Sequence, residues 1–354
     1  MKRIALLKSN LAFQGGLEKY TIMLAQRYHE RGDQVTILTT GKVPEKYPFD
    51  VISLKCTYKI SFAHHKSFDR ACRHWLKRHL MDVIFGMERN SFQTHYRAGS
   101  GVHSAYLQQR ARIESPLKRF SFFINPLHRT IKKLEKKAFC HPQLKMLFTN
   151  SEMVKREILE RYPVDPKKIL VVHNGINWEG YAKPFGQRSY NPGRFQFLFV
   201  GNDYRRKGLP FLLDALEKLE GNFHLTVVGK DKNLEYYKKR APSYVTYVGQ
   251  KSDLIPFYQK ADALVVPSIY DPFANVTLEA LAMGLYVVSS DTNGSHEILT
   301  PDCGCVAPID DLLPALQKAL AHPKTPESSL AIRQKIKRLD LATQLDCMIQ
   351  NTHD

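Results

Sequence analysis

The stretch that most constrains this chain runs from residue 263 to residue 288. Residues 263–267 (Ala-Leu-Val-Val-Pro) and 286–288 (Tyr-Val-Val) are short apolar runs of the kind that fill buried parallel strands. Between them, residues 271–284 read Asp-Pro-Phe-Ala-Asn-Val-Thr-Leu-Glu-Ala-Leu-Ala-Met-Gly, which accommodates one helix. Asn275 is the expected N-cap, Leu278, Leu281 and Ala282 share a face, and Gly284 stands where a helix ends in a left-handed residue. The loop before Asn275 therefore lies at the carboxyl end of a strand. In open α/β sheets that rim is where ligands bind, and a helix start there offers phosphate free amides and the positive end of a dipole.

Asp271 and Glu279 bracket the helix start with seven residues between them. The spacing suits one carboxylate at each end of a ligand whose phosphates lie over the amides of Asn275, Val276 and Thr277. It equally suits a turn acid before Pro272 and a solvated helix acid. Upstream, the strand at 195–200 is followed by Gly201-Asn202-Asp203-Tyr204-Arg205-Arg206-Lys207-Gly208 and a helix from Pro210. A strand, a glycine, a basic cluster and a helix start are what a diphosphate needs. Strands at 225–229 and 245–249 complete the second half.

The first half alternates in the same way. Residues 3–9 form a first strand, Gln14-Gly15-Gly16 opens a helix from about Leu17 to Glu30, and strands follow at 34–40, 51–54, 83–86, 146–149 and 169–173. Strands alternating with helices predict a mainly parallel sheet. Glycines between a first strand and a helix permit close backbone approach by a ligand such as a phosphate, although Gly15-Gly16 also reads as an ordinary tight turn. The breakers Gly180, Pro184, Gly186, Pro192 and Gly193 make 178–194 the expected linker, and residues 332–349 form a closing helix.

At 354 residues the chain is long enough for two cores. Its net charge of +18 is confined to residues 1–175, which hold 32 Lys and Arg against 14 Asp and Glu, leaving the remainder neutral. Such an asymmetry implies that the first half meets something anionic: a membrane surface, a phosphorylated glycan or nucleic acid. The most basic part is 106–139, with nine Lys and Arg against Glu114 and Glu135, and with Phe120, Phe122 and Phe123 in its middle. Aromatic rings among cations suit an anionic bilayer interface, and Pro116 and Pro126 favour two short helices joined by the aromatic turn. The other reading is a solvated helix face with its phenylalanines in a core. No recognisable RNA or DNA motif accompanies the cations. The six cysteines lack a framework spacing, which points to free thiols in a reducing compartment, and Cys303-Gly304-Cys305 has no partner pair to complete a metal site. The apolar run after Arg3 stops at Lys8, as in a strand and not an export signal, and no apolar run has the length of a spanning helix.

Taken in order, the Gly-Gly loop, Gly101-Val102-His103, Asn125-Pro126-Leu127-His128, Asn150-Ser151-Glu152, Asn174-Gly175-Ile176, Arg206-Lys207-Gly208 and the paired acids resemble family 4 of the retaining glycosyltransferases, and within it the bacterial lipopolysaccharide core glucosyltransferases. The resemblance implies a GT-B fold: two Rossmann-like doubly wound α/β domains facing a cleft, with the last helix crossing back to the first domain. It places an acceptor- and membrane-facing domain at 1–175 plus about 335–354, and a nucleotide-sugar domain at 176–334. Carried over, Glu279 holds the donor ribose and Asp271, where the family usually has Glu, touches the sugar. Asn275, Val276 and Thr277 supply amides, and Arg206 and Lys207 hold the pyrophosphate, with Asn202 where a further Arg is frequent. Gly15 and Gly16 border the donor, with Glu18 as the acid of the glycine motif. His103 approaches donor sugar and acceptor, and Ser100 stands where Asp is more common. With His103 and Asp271 as catalytic residues, the implied reaction moves a hexose with retention from a UDP-linked sugar to a lipid-linked anionic glycan, without cofactor or metal. The chain contains no Asp-x-Asp pair of the kind metal-dependent transferases use. The implied location is the inner face of the cytoplasmic membrane. A sugar-nucleotide epimerase of the same fold and a non-catalytic membrane-binding protein are the alternatives.

Overall fold

The computed structural model describes every residue except 12–15, 42, 44–45, 57–60, 191–192, 323 and 354. The chain divides into two compact units, Met1–His173 with Leu345–Asp354, and Asn174–Gln344.

The first unit is built on seven parallel strands: β1 (Arg3–Leu7), β2 (Gln34–Thr39), β3 (Asp50–Ser53), β4 (Val83–Gly86), β5 (His95–Arg97), β6 (Met146–Thr149) and β7 (Ile169–Val171), in the order β3-β2-β1-β4-β5-β6-β7. Ile4 to Leu7 are wholly buried because β1 is central, with Ile4 paired to Val35 on one side and Val83 on the other. A strand covered on both faces needs no polar alternation. β5 was not anticipated from sequence, because His95-Tyr96-Arg97 carries two polar residues on a buried strand. Burial of the His95 imidazole lowers its pKa to about 4. The last helix, Leu341–His353, ends in this unit. There Met348 and Ile349 are fully buried, Tyr28 and Thr352 share a hydroxyl hydrogen bond of 2.6 Å, and Arg27 pairs with Asp346 at 2.7 Å.

The second unit holds six parallel strands: β8 (Phe195–Val200), β9 (Phe223–Val228), β10 (Val245–Gly249), β11 (Ala263–Val266), β12 (Tyr286–Ser290) and β13 (Gly304–Ala307), in the order β10-β9-β8-β11-β12-β13. Alternate residues feed two cores on the two faces, Phe197 and Phe199 entering one and Leu198 the other. β13 was also unanticipated. It packs so closely on β12 that a Cβ at Gly304 would stand 2.4 Å from the Val287 carbonyl oxygen. Cys303 and Cys305, like the other four cysteines, are free thiols.

Two expectations are corrected here. Residues 178–194, expected as the linker, fall within the second unit: they include Glu179–Tyr181 and Ala182–Gly186 as helical turns, and Trp178 and Arg188 are buried there. The region 106–139 is not two helices with an aromatic turn but belongs to three helices, His103–Ala111, Pro116–Ile124 and Pro126–Phe139. The phenylalanines lie within the middle helix. Each proline occupies a first helical position, where its missing N–H costs nothing, so it starts a helix instead of breaking one.

Candidate active site

The strand order of the second sheet reverses between β8 and β11, and the loops leaving those strands meet at their carboxyl ends. Gly201 opens the first loop, where a Cβ would lie 2.8 Å from Cγ of Lys207. Gly208 closes it at φ +78°, and a Cβ there would lie 1.7 Å from the Pro267 carbonyl oxygen. The loop is thus pressed onto the end of β11, and the Ile269 amide donates to the Arg206 carbonyl at 3.1 Å. Across this contact Lys207 Nζ meets Asp271 Oδ2 at 2.5 Å, both side chains being mostly buried. Arg206 is more exposed, with Nε 3.7 Å from Asp203, itself at φ 60°. The backbone of Asp271 is stitched to the loop after β12 by bonds from its amide to the Thr292 carbonyl and from the Gly294 amide to its own carbonyl.

The following helix is Asn275–Ala282. Asn275 is its first residue and not the N-cap, which is Ala274 with no side-chain bond. The residue before the helix is braced from the loop after β12: buried Asn293 Oδ1 accepts from the Ala274 amide at 3.2 Å and from the Ser295 amide, while its Nδ2 donates to Ser289. Asn275 is exposed and its Oδ1 accepts from Asn174 Nδ2 at 2.6 Å. The Thr277 amide is engaged with the Ala274 carbonyl and its hydroxyl with Ser295, so it is not a free donor. The amides of Asn275 and Val276 lie in the first turn, where no intrahelical acceptor exists. One turn into the helix, Glu279 Oε2 accepts from the Tyr258 hydroxyl at 2.7 Å. Burial first, and the Glu279 carboxylate second, push the Tyr258 pKa upward.

The first unit holds the other residues singled out in the sequence. Gly15 lies outside the described residues. Gly16 begins the Gly16–Glu30 helix, and Glu18 on its first turn pairs with buried Lys8 at 3.0 Å. Lys8 also reaches Glu88 at 3.5 Å, at the reversal between β1 and β4. His103 begins the His103–Ala111 helix, and its amide donates to Glu135 Oε2 at 2.9 Å. Its Nε2 lies 3.0 Å from Nδ1 of His128. Glu135 is wholly buried and is further satisfied by Arg89 at 2.7 Å and the Tyr162 hydroxyl at 2.8 Å. Burial, reinforced by Arg89, His128 and Lys132, lowers the His103 pKa to about 3, and burial lowers that of His128 as well. Both shifts favour the neutral imidazole, and in two neutral rings at this distance one facing nitrogen donates and the other accepts. Among the described residues no group of three or more His, Cys, Asp or Glu is arranged to hold a metal ion, and no helix is long and apolar enough to cross a membrane.

Two family descriptions cover most of the chain in tandem: residues 14–179 match Glycosyltransferase Family 4, and residues 194–322 match Glycosyl transferases group 1. The chain belongs to the family 4 glycosyltransferases. The glycosyltransferase is 25 % identical over 311 residues to an uncharacterized glycosyltransferase of Methanocaldococcus jannaschii, spanning 80 % of this chain and 79 % of that one. It is 23 % identical over 313 residues to the lipopolysaccharide glucosyltransferase WaaG of Escherichia coli, covering 82 % and 81 %. Its fold is GT-B, matching the crystal structure of WaaG with a TM-score of 0.75 at 22 % identity over 98 % of each chain. Anabaena HepE, solved in complex with UDP, matches with a TM-score of 0.71 at 14 % identity over the full length of both.

The transferase thus brings Arg206, Lys207, Asp271, Asn275 and Val276 together on the rim of one sheet, with Glu279 farther along the same helix. His103 and Gly16 belong to the other unit. Asn293, His128 and Glu135 were missed by sequence reasoning. Asn293-Gly294 follows an apolar strand as a turn pair does, and His128 stands in the quoted Asn-Pro-Leu-His motif, so both left a trace. Glu135 lies among lysines and reads as a surface acid.

Proposed function

We propose that this glycosyltransferase moves a hexose, with retention of configuration, from a UDP-linked sugar to a lipid-linked anionic glycan of the lipopolysaccharide-core type. The observation that carries the reading is the Lys207–Asp271 contact at the strand-order reversal, beside the first-turn amides of Asn275 and Val276. Departure of a nucleoside diphosphate builds negative charge on the leaving oxygens, and preorganised cations and amides lower that barrier without a metal. Lys207 and Asp271 hold each other until the donor arrives. The ammonium then turns to the β-phosphate and the carboxylate to sugar hydroxyls, Arg206 adds a second cation, and Glu279 takes the ribose. The neutral His103–His128 pair offers a hydrogen-bond partner to sugar or acceptor without introducing a cation.

The acceptor reading rests on the basic first unit. The Pro116–Ile124 helix exposes Leu117, Phe120, Phe123 and Ile124, between 62 and 86 % accessible, next to Lys118 and Arg119. Apolar side chains beside cations suit peripheral docking to an anionic leaflet, here the inner face of the cytoplasmic membrane. The deciding experiment is proton NMR of the reaction in real time with UDP-glucose and a lipid-linked core acceptor. An α-linked product formed directly from the α-donor supports retention, and a β-linked product overturns it. An epimerised donor formed without acceptor would favour the epimerase alternative.

A further inference from the structure

A second concentration of cations lies outside the residues assigned to the donor. Within the first unit the Ser61–Leu76 helix packs on the Pro126–Phe139 helix, and between them opens a groove of about 550 Å³. Lys66, Arg70 and Arg73 line it from one helix, and Arg129, Lys133 and Lys137 from the other. Each set recurs at three- or four-residue spacing, so two cationic rows face one space. Like charges at such spacing destabilise a helix, and two facing rows oppose each other further. The lining contains a single acid, Asp69, which is buried, accepts from the Ser91 amide at 2.5 Å and hydroxyl at 2.8 Å, and pairs with Arg73 at 3.5 Å. Among the described residues no carboxylate pairs with Lys66, Arg70, Arg129, Lys133 or Lys137.

The packing thus concentrates repulsion that a purely structural role leaves uncompensated, and an anion between the rows would relieve it. The groove has the volume of a small-molecule site. Its lining carries no exposed large aromatic or aliphatic side chain such as those of the Pro116–Ile124 helix, so it does not offer a seat for acyl chains or a stacking platform for bases. Arginine forks from both sides match phosphate geometry. We propose that this groove binds phosphate groups carried by the acceptor saccharide, at a site separate from Lys207 and Asn275. The saccharide as their carrier rests on the transfer reading above, whereas phosphate binding by the groove does not.

The test is calorimetric titration with inositol hexakisphosphate as a compact polyphosphate probe, in saturating UDP so that donor residues do not contribute. The groove variant Arg70→Gln/Arg129→Gln/Lys133→Gln is compared with the charge-matched Lys46→Gln/Lys77→Gln/Arg156→Gln, whose sites are exposed and outside the groove. Loss of three charge-assisted contacts should weaken binding at least about tenfold in the groove variant, and leave the control as wild type. Equal weakening in both variants, or no binding by wild type, overturns the proposal. A parallel cosedimentation with phosphatidylglycerol vesicles separates the lipid source. If the groove variant releases vesicles more than the control while its polyphosphate affinity is unchanged, the groove reads headgroups and the saccharide proposal fails. UDP affinity, measured in the same proteins, should be equal in all three. Its absence in wild type would sink the donor reading and leave the groove to be judged by the probe titration alone.

Discussion

Replacing Lys207 by Ala removes the cation bonded to Asp271 and leaves a carboxylate that is only 13 % accessible. Breaking a fully buried pair costs about 3–5 kcal/mol. Asp271 keeps the Phe273 amide as a donor to Oδ1 at 3.3 Å, and its partial exposure screens it further, so the expected loss falls below that range, at about 2–3 kcal/mol. For a unit of this size, roughly 2–4 °C per kcal/mol places the drop in melting temperature at about 4–12 °C. Turnover should fall about 10²- to 10³-fold, the loss typical of removing one preorganised group that faces developing charge. The double variant Lys207→Ala/Asp271→Asn separates the two effects. With no uncompensated carboxylate its stability should return most of the way to wild type, while its turnover stays low. The assays are thermal unfolding and donor-dependent transfer on the three variants and wild type. Undiminished turnover in Lys207→Ala, or stability in the double variant no better than in the single one, would refute the reasoning.

Gly208→Ala should lower stability and donor affinity together, because a Cβ at φ +78° would lie 1.7 Å from the Pro267 carbonyl and the loop carrying Lys207 must move; unchanged UDP affinity in calorimetry would count against that geometry. His103, with a folded pKa of about 3, lies below its unfolded value of about 6.5, so the folded state binds fewer protons. Its stability contribution is full above the unfolded value and declines as pH falls toward the folded one, by about 1.4 kcal/mol per pH unit. His95, at about 4, adds a parallel slope, so the informative comparison is wild type against His103→Gln, whose melting temperature should fall less steeply on acidification; identical slopes would contradict a buried neutral imidazole. Leu117→Ser/Phe123→Ser should weaken cosedimentation with anionic vesicles at least about tenfold, since burying each side chain is worth about 1.5–3 kcal/mol, and equal vesicle binding would remove the Pro116–Ile124 helix from the membrane account.

Much of the architecture was legible because a doubly wound sheet buries its central strands on both faces. Runs such as Ile4 to Leu7 and Ala263 to Val266 therefore announce themselves. β5 and β13 escaped because His95-Tyr96-Arg97 is polar and Gly304-Cys305-Val306-Ala307 is short and small; each is a strand through its neighbours' pairing more than through its own composition. In the candidate site, Lys207 and Asp271 stood out as charges next to strand ends, but their mutual bond depends on how two loops 64 residues apart meet. The same limit explains Asn275. Asn is a preferred cap, yet the helix starts at Asn275 behind Ala274, whose amide is held by Asn293 from the loop after β12, a contact that only the tertiary fold supplies. The buried Glu135 shows it most plainly, since only tertiary contact with Arg89, Tyr162 and the His103 amide distinguishes it from its exposed neighbours.

The central claim is that the second unit holds a nucleoside diphosphate sugar through Lys207 and the amides at the start of the Asn275–Ala282 helix. A thermal-shift series with UDP, GDP, ADP and their hexose conjugates tests it directly, because a ligand at a hundred times its Kd stabilises the native state by about 2.7 kcal/mol. UDP and a UDP-hexose should raise the melting temperature of wild type, and Lys207→Ala should lose most of that rise. A wild-type protein whose melting temperature none of these ligands moves, or a Lys207→Ala variant that keeps the full rise, would contradict it.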